Sequence, residues 1–284
     1  MNEQFYVSTL AFNGKSLEEI TNISNESNLN VEFSSNLIFE HNNIEIFNKF
    51  SGKKLLHNYF PPPEKSFVIN LASDNPKILN LSVEHCKENI LRTAYHQLPF
   101  YSIHAGFCID PKISSLGKLI KAQKDCDRNK YIIRFKEVLF EIIKFAESKN
   151  VKLLIENNVL SKDNFTQNNF KNLFLCVESE EIIEIINEID KPNFGLLLDT
   201  AHLKVSSSTL GLNLLEEVNK LLSYVKAVHH SDNDGISDTN DSIKNDYWFL
   251  PFMKKLKESF HVLEVRNLEA KSIKKQLKIL SDAI

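Results

Sequence analysis

Carboxylate and imidazole side chains stand at the ends of several apolar runs in this 284-residue sequence. Four of them follow runs rich in Val, Ile, Leu and Phe in the second half of the chain: Glu156, Asp199, His229 and Glu264. Taken singly, such a residue is more often a helix cap, an ion-pair partner or a hydrogen-bonded core residue. Buried carboxylates that converge repel one another and are costly to desolvate, and a cation at their centre removes that conflict. Three carboxylates and one imidazole suit Mn²⁺ or Mg²⁺, with Co²⁺ and Zn²⁺ left open.

Short apolar runs and segments of helical period alternate from one end of the chain to the other. Eight runs are expected to be strands: Phe5–Phe12, Leu29–Ser35, Lys54–Phe60, Phe100–Phe107, Val151–Asn157, Phe194–Asp199, Val225–His230 and His261–Arg266. Helical periodicity marks segments such as Ser82–Leu98, Tyr131–Ser148, Glu178–Ile189, Leu210–Leu222 and Leu268–Ala283. Nearly continuous apolar strands separated by helices are typical of a parallel sheet buried on both faces. Eight such units predict an α/β fold, a closed (β/α)₈ TIM barrel.

One apolar run falls outside this alternation. Ser66–Ser73, which follows Pro61-Pro62-Pro63, is either a ninth strand or an extended insertion in the third βα loop. The sequence contains no linker, repeat or low-complexity tract that would divide it. We therefore expect residues 1–284 to form a single TIM barrel domain.

The barrel fold predicts where chemistry takes place, because TIM barrels carry their active sites at the carboxyl ends of the strands. His57 and His104 stand at the expected ends of strands three and four. His202 follows Asp199 by three residues on an expected strand-to-loop turn, so both side chains can face the cavity. His202 is therefore a candidate ligand of a second metal or of the substrate. Lys204 and Arg266 are candidate contacts for a phosphate or carboxylate, although rim charges are the commoner case.

Six stretches carry these strand-end residues in order along the chain: Leu56-His57-Asn58-Tyr59, Ile103-His104-Ala105-Gly106, Ile155-Glu156-Asn157, Leu198-Asp199-Thr200-Ala201-His202, His229-His230-Ser231-Asp232-Asn233-Asp234-Gly235 and Leu263-Glu264-Val265. With Val31-Glu32-Phe33-Ser34 in strand two, the ordered set resembles the xylose isomerase-like barrel superfamily. That superfamily includes sugar-phosphate isomerases and epimerases and apurinic endonuclease four-type enzymes. The resemblance covers nearly the whole chain, and its specificity comes from the order of the motifs rather than from any one of them.

The resemblance implies a role for each of the four acidic and histidine residues named first. Glu156, Asp199, His229 and Glu264 would bind the main metal. His229 is chosen over His230 because the family pattern places the ligand three residues before an aspartate, here Asp232. In isomerase and epimerase members, Glu156 and Glu264 would also be the catalytic acid–base pair.

The resemblance also assigns the remaining histidines. His57, His104 and His202 match positions that bind further zinc ions in the endonuclease branch, and His202 matches a substrate-contacting position in epimerases. The endonuclease branch completes its third zinc site with an Asp-x-His pair after strand seven, where this sequence reads Asp238-Thr239-Asn240. The missing histidine argues against a full trinuclear zinc centre.

These residues predict a metal-dependent isomerase or epimerase of a small sugar or sugar phosphate. One glutamate would remove a proton from carbon to give an enediolate and the other would return it, with one divalent metal ion as Lewis acid and a second metal left open. Two enzymatic alternatives use the same residues: zinc-dependent, apurinic endonuclease-like hydrolysis of phosphodiesters, and dehydration of polyols. A barrel that binds a sugar without converting it is a third alternative, and the presence of both Glu156 and Glu264 argues against it.

Overall composition narrows the possible partners of the protein and its possible cellular compartments. The net charge of −3 and the pI near 6.3 argue against a nucleic-acid partner, because proteins that grip phosphate backbones usually present a basic face. No apolar run is long enough to span a membrane, and Met1–Phe12 lacks the pattern of a secretory signal. The four cysteines are widely spaced, which favours reduced thiols in a cytoplasm over a disulfide framework. We expect a cytoplasmic protein with a sugar-like substrate, and a homo-oligomer is left open.

Overall fold

A computed structural model of the chain describes residues 3–12, 14–122 and 126–284. Eight parallel strands follow one another around a closed barrel in chain order, and the last strand pairs with the first. The strands are β1 (Phe5–Ser8), β2 (Val31–Phe33), β3 (Lys54–His57), β4 (Tyr101–His104), β5 (Leu153–Glu156), β6 (Phe194–Asp199), β7 (Val225–His230) and β8 (Phe260–Leu263). The α-helices are α1 (Leu17–Ser27), α2 (Asn43–Lys49), α3 (Pro76–Tyr95), α4 (Arg128–Ser148), α5 (Lys162–Thr166), α6 (Ser179–Ile189), α7 (Thr200–Leu210), α8 (Leu214–Leu221) and α9 (Ala270–Asp282).

The predicted barrel is confirmed strand by strand. Seven of the eight predicted runs contain one observed strand each, and the eighth, His261–Arg266, overlaps β8, which begins one residue earlier at Phe260. β6 and β7 agree with the prediction at both ends. Ser66–Ser73 contains no strand; it is an extended segment between β3 and α3, so the insertion alternative is correct. The segment Leu210–Leu222 holds the last residue of α7 and then α8, separated at Gly211, whose φ of +70° ends α7 in the left-handed region.

Local sequence signals explain where the helices begin. Ser16 and Glu19 form a reciprocal capping box at the start of α1. Asn75 caps α3 by accepting a hydrogen bond from the N–H of Lys77, and Pro76 occupies the first turn, where its missing N–H has no cost. None of the helices in the described ranges is both long and apolar enough to cross a bilayer.

Strand periodicity connects the barrel core to its functional end. A buried cluster drawn from seven strands or their first flanking residues fills the barrel interior: Tyr6, Leu55, Phe100, Leu154, Leu197, Ala227 and Val262. Because alternate residues of a strand point to the same face, the residue two positions further along lies above this layer on the same interior face. In β5 that residue is Glu156, in β6 Asp199, in β7 His229, and directly after β8 Glu264. The apolar layer therefore forms the floor beneath the acidic site.

Candidate metal centre at the barrel mouth

The four residues predicted to hold the main metal converge at the carboxyl ends of β5 to β8. Glu156, Asp199, His229 and Glu264 each offer a ligand atom, and these atoms lie within 4.8 Å of one another. Glu156, Asp199 and His229 are fully buried, and Glu264 is 8% exposed. A set of this size and composition can enclose one divalent cation with hard oxygen ligands.

The imidazole of His229 is oriented with its Nδ1 atom toward the carboxylates. Nδ1 lies 2.8 Å from Oε2 of Glu264, 3.5 Å from Oε1 of Glu156 and 3.9 Å from Oδ2 of Asp199. The neighbouring His230 points to the other side of the strand, where its Nε2 atom lies 3.0 Å from Nδ1 of His261. The structure thus places His229, and not His230, beside the predicted ligands.

Several ligand atoms in this cluster lack a hydrogen-bond partner within the described part of the chain. They are Oε1 and Oε2 of Glu156, Oδ2 of Asp199 and Nδ1 of His229. Buried polar atoms are nearly always hydrogen bonded, and an unpaired buried carboxylate is especially unfavourable. A cation would satisfy these converging oxygen and nitrogen atoms, so the residues present fit a divalent metal.

Electrostatics in the cluster depend on burial and on close contacts between carboxylates and imidazoles. Burial raises the pKa of Asp199 well above its usual value; the carboxylates of Glu156 and Glu264 raise it further, while His202 opposes the change. Burial disfavours ionised Glu156, but the neighbouring rings of His104, His229 and His57 outweigh it and hold its pKa well below the ordinary value. The metal-free cluster therefore retains protons that a bound cation would displace.

A second group shares Glu156 with the first. His57, His104 and Glu156 also offer ligand atoms within 4.8 Å of one another. Nε2 of His57 lies 3.1 Å and Nδ1 of His104 lies 3.5 Å from Oε2 of Glu156. The His104 side chain is 29% exposed, which makes it a rim residue of the mouth. The structure thus brings His57 and His104 together around Glu156, as a second metal site or a substrate site would require.

His202 lies in the first turn of α7, which begins directly at the end of β6. The expected strand-to-loop turn is wrong here: Asp199 caps α7, and its Oδ1 accepts the N–H of His202 at 2.7 Å. Nδ1 of His202 lies 2.8 Å from the carbonyl oxygen of Asn157, so Nδ1 carries a hydrogen and donates it. Nε2 then faces Oδ2 of Asp238 at 3.3 Å. His202 is therefore held at the edge of the cluster with one ring nitrogen directed into the mouth.

The two strand ends that carry Glu156 and Asp199 are joined by a buried asparagine. Oδ1 of Asn157 accepts the N–H of Asp199 at 2.8 Å, and its Nδ2 donates to the Asp199 carbonyl at 3.1 Å. The hydroxyl of Thr200 donates to the His229 carbonyl at 3.0 Å. These contacts fix the ends of β5, β6 and β7 relative to one another.

Two acidic residues near the cluster were not among the predicted site residues. Glu32 lies within β2, and its Oε2 is 3.0 Å from Nε2 of His229. Asp238 follows β7 and contacts His202, while Asn240, at the position of the absent histidine, is buried with its Nδ2 atom 3.5 Å from Oγ of Ser231. A charged residue between two apolar ones in a short strand is the signal that could have identified Glu32.

Lys204 and Arg266, the candidate contacts for a phosphate or carboxylate, do not join the cluster of predicted metal ligands. The Lys204 ammonium lies 2.6 Å from Oδ1 of Asp232 and donates to the carbonyl of Asn233. Arg266 is exposed in the loop after β8. Lys204, in α7, is thus engaged by the loop that follows β7, as an ordinary rim charge would be.

Comparison with known proteins agrees with the geometry. A curated relative from Methanocaldococcus jannaschii, an uncharacterized protein, is 26% identical over 220 residues, which are 75% of this chain and 66% of the relative. A second from Mesomycoplasma hyopneumoniae, named probable endonuclease 4, is 26% identical over 180 residues, which are 60% of this chain and 55% of the relative. The matched segments therefore span about two thirds or less of these relatives' lengths.

Solved structures share the fold along the whole chain. A D-tagatose 3-epimerase-like protein superimposes with a TM-score of 0.71 at 23% identity, covering 98% of both chains. Endonuclease IV from Thermus thermophilus gives a TM-score of 0.59 at 14% identity, covering 99% of this chain and 98% of that one. A family model matches residues 34–281, which is most of the chain and includes all of the site residues discussed above except Glu32. The predicted resemblance is confirmed: the chain belongs to the xylose isomerase-like TIM barrel family.

Proposed function

We propose that the protein is a metal-dependent isomerase or epimerase of a small sugar or sugar phosphate, with Glu156 and Glu264 as its acid–base pair. The observation that carries the proposal is the buried cluster at the mouth, in which two glutamates share one cation-sized site with Asp199 and His229. A protein that binds sugars without converting them has no need for two glutamates buried at one point.

The cation would be held by Glu156, Asp199, His229 and Glu264, the set whose unpartnered oxygens and nitrogen fit it. The chemistry that such a cation supplies when bound is Lewis-acid polarisation of a substrate carbonyl. The cluster is open on the side of Glu264 and His104, whose side chains are 10% and 29% exposed. A substrate that enters from the loops would meet these two residues first.

Glu156 and Glu264 would exchange the proton with the substrate carbon. Both pKa values are lowered, in each case because contacts with imidazoles outweigh burial, so both carboxylates are available as bases. One of them, ionised, would remove a proton from the carbon beside the carbonyl. The other, after taking up a proton from solvent, would deliver it to the neighbouring carbon or to the opposite face. A positioned acid or base of this kind contributes about 10²–10⁴-fold in rate. His202, whose Nε2 faces the mouth, would contact a substrate oxygen or a second cation.

A second candidate function, hydrolysis of phosphodiesters at damaged DNA, is favoured by the group of His57, His104 and Glu156. The relative named probable endonuclease 4 supports the same candidate. Asn240 at the position of a third-zinc histidine and the net charge of −3 weigh against it. Dehydration of a polyol would use the same residues as the isomerase and differs from it in its product.

Exchange of substrate hydrogen with solvent tests the proposed function. The metal-loaded protein is incubated in D₂O with a panel of ketoses and their phosphates, and products are followed by NMR and mass spectrometry. We expect deuterium on the carbon beside the carbonyl, with Glu156→Gln and Glu264→Gln slowed by about 10²-fold or more. Glu258→Gln, an exposed glutamate away from the mouth, is the matched control and should exchange like the wild type.

Other outcomes separate the alternatives. Cleavage of abasic DNA by the zinc-loaded protein, without exchange into any sugar, would assign the endonuclease function. A product that has lost water would assign the dehydratase. Metal analysis that finds no divalent ion under any loading condition would contradict all three enzymatic hypotheses: the isomerase or epimerase, the endonuclease and the dehydratase.

A further inference from the structure

We propose that Glu32 is a positioning residue of the metal centre: it holds the imidazole of His229 so that the Nδ1 lone pair points at the cation. The inference rests on the metal centre of the proposed function and adds a residue that contacts neither cation nor substrate. Glu32 belongs to β2, and its partner on β7 is 197 residues away in the sequence.

The position of Glu32 is unusual for a carboxylate. It is fully buried in a three-residue strand between Val31 and Phe33, which are fully buried as well. Burying an ionised carboxylate is unfavourable unless a partner compensates it. The partner is His229, whose Nε2 atom lies 3.0 Å from Oε2 of Glu32.

The contact decides which nitrogen of His229 keeps its hydrogen when a cation binds. An ionised carboxylate can only accept, so Nε2–H donates to Glu32, and a cation in the cluster would bind Nδ1 in place of the hydrogen that this atom shares with Glu264 in the metal-free protein. Nδ1 is the atom that faces Glu156, Asp199 and Glu264. A carboxylate behind a metal-binding histidine fixes its tautomer and ring orientation and raises its basicity as a ligand.

Glu32 also lies beside the second group of candidate ligands. Its Oε1 atom is buried without a hydrogen-bond partner in the described part of the chain. Ligand atoms of Glu32, His57 and His229 lie within 4.8 Å of one another, and the two imidazole rings are 5.1 Å apart. One buried carboxylate thus contacts His229 of the first group and lies near His57 of the second.

The test measures Co²⁺ binding to the full chain by competition with a chelating dye, together with the visible spectrum of bound Co²⁺. Glu32→Gln keeps the size of the side chain and removes its charge. We expect its Co²⁺ affinity to fall by about 10–100-fold with unchanged stoichiometry and an altered Co²⁺ spectrum. Urea unfolding of the metal-free variant reports separately on the fold.

Glu217→Gln is the matched control. Glu217 is also a buried glutamate, but it belongs to α8 and its partners are not mouth residues: its Oε2 accepts the N–H of Ser179 at 2.8 Å, and its Oε1 lies 3.0 Å from Nζ of Lys220. We expect this variant to change stability but neither Co²⁺ affinity nor the Co²⁺ spectrum. If Glu32→Gln does not fold, Glu32→Asp carries the same test, because it keeps the charge and withdraws it from Nε2.

The outcomes separate this inference from the proposed function. Wild-type protein that binds no Co²⁺ would overturn the metal centre and the role of Glu32 with it. Normal binding by the wild type and an unchanged affinity in Glu32→Gln would overturn the role of Glu32 alone. Loss of one bound ion at unchanged affinity for the rest would also overturn it, because Glu32 would then be a ligand.

Discussion

Individual site residues could be predicted from the sequence where a carboxylate or imidazole stands at the end of a predicted strand. Glu156, Asp199 and His229 end apolar runs, and in a parallel barrel those ends meet at one mouth, so sequence order alone brings them together. Glu32 and Asp238 were not predictable in the same way. A lone carboxylate inside a strand or loop has commoner roles, and no local pattern reveals a partner on a distant strand.

The asparagine after β5 should be important for the fold rather than for chemistry. Asn157→Ala removes both side-chain bonds to the backbone of Asp199 and leaves its buried N–H unpaired, while the carbonyl keeps the bond that it accepts as the N-cap of α7. The unpaired N–H costs about 1–3 kcal/mol and the lost bond to the carbonyl about 1 kcal/mol, so we expect a loss of about 2–4 kcal/mol in the free energy of unfolding, measured with urea. Asn219→Ala, which removes two exposed bonds, one to the carbonyl of Leu215 and one from the ammonium of Lys255, should cost about 0.5 kcal/mol or less. Equal losses in the two variants would contradict this assignment.

At the level of elements, strands were easier to predict than helices. Buried strands show as apolar runs, whereas α1 is rich in Asn, Ser and Glu and reveals itself mainly through the capping box at Ser16. Helix α7 contains three consecutive serines and starts without a loop, so its helical form depends on packing against β6 and β7 rather than on propensity. This is why His202 was expected on a turn and lies on a helix.

The end of β4 should tolerate little added volume. A Cβ at Gly106 would lie 3.1 Å from Oδ1 of Asn70, 3.2 Å from Cβ of Ala72 and 3.3 Å from the ring of Phe135. Asn70 is held by hydrogen bonds to residues 107, 109 and 110, and Phe135 is fully buried, so neither moves easily. We expect Gly106→Ala to lower the free energy of unfolding by about 1–3 kcal/mol.

A double-mutant cycle checks the cause of this effect. In an Ala72→Gly background, Gly106→Ala should cost less, because the 3.2 Å contact is removed. Thermal or urea unfolding of the four proteins gives the coupling between the two sites. Strictly additive effects would show that the Ala72 methyl group does not press on the Cβ at position 106.

At the level of the whole molecule, the barrel encloses more titratable groups than its metal-free state can satisfy. Burial alone would lower the pKa values of three histidines, His57, His202 and His229. Their contacts with carboxylates outweigh burial, so all three pKa values are raised. His104 differs: burial lowers its pKa to about 4, with Glu156 opposing. His57, His202 and His229 therefore affect the stability of the fold above about pH 6.5, whereas His104 affects it below that pH.

These shifts predict how the stability of the metal-free protein depends on pH. A histidine whose folded pKa exceeds its unfolded value of about 6.5 stabilises the fold fully below that pH and loses this effect as pH rises through the folded value. Asp199, raised mainly by burial, acts in the same direction, because the folded protein resists its ionisation. His104 has the opposite sign but changes stability only as pH falls below about 6.5. We therefore expect the free energy of unfolding of the chelator-treated protein to fall between about pH 6.5 and about pH 8.5.

A bound cation should reverse this trend, because it takes the place of the protons that the cluster otherwise holds. At a free metal concentration of about 100 times Kd, binding adds about 2.7 kcal/mol to the free energy of unfolding. Because deprotonated ligands bind a cation better, Mn²⁺ or Co²⁺ should increase the free energy of unfolding more at about pH 8.5 than at about pH 6.5. Urea titrations with and without metal at both pH values measure this difference. Metal-free stability that stays level or rises over this range would mean that the mouth histidines are neutral in the folded protein. A metal gain independent of pH would mean that the cation binds outside the cluster, since its ligands would then have no protons to release.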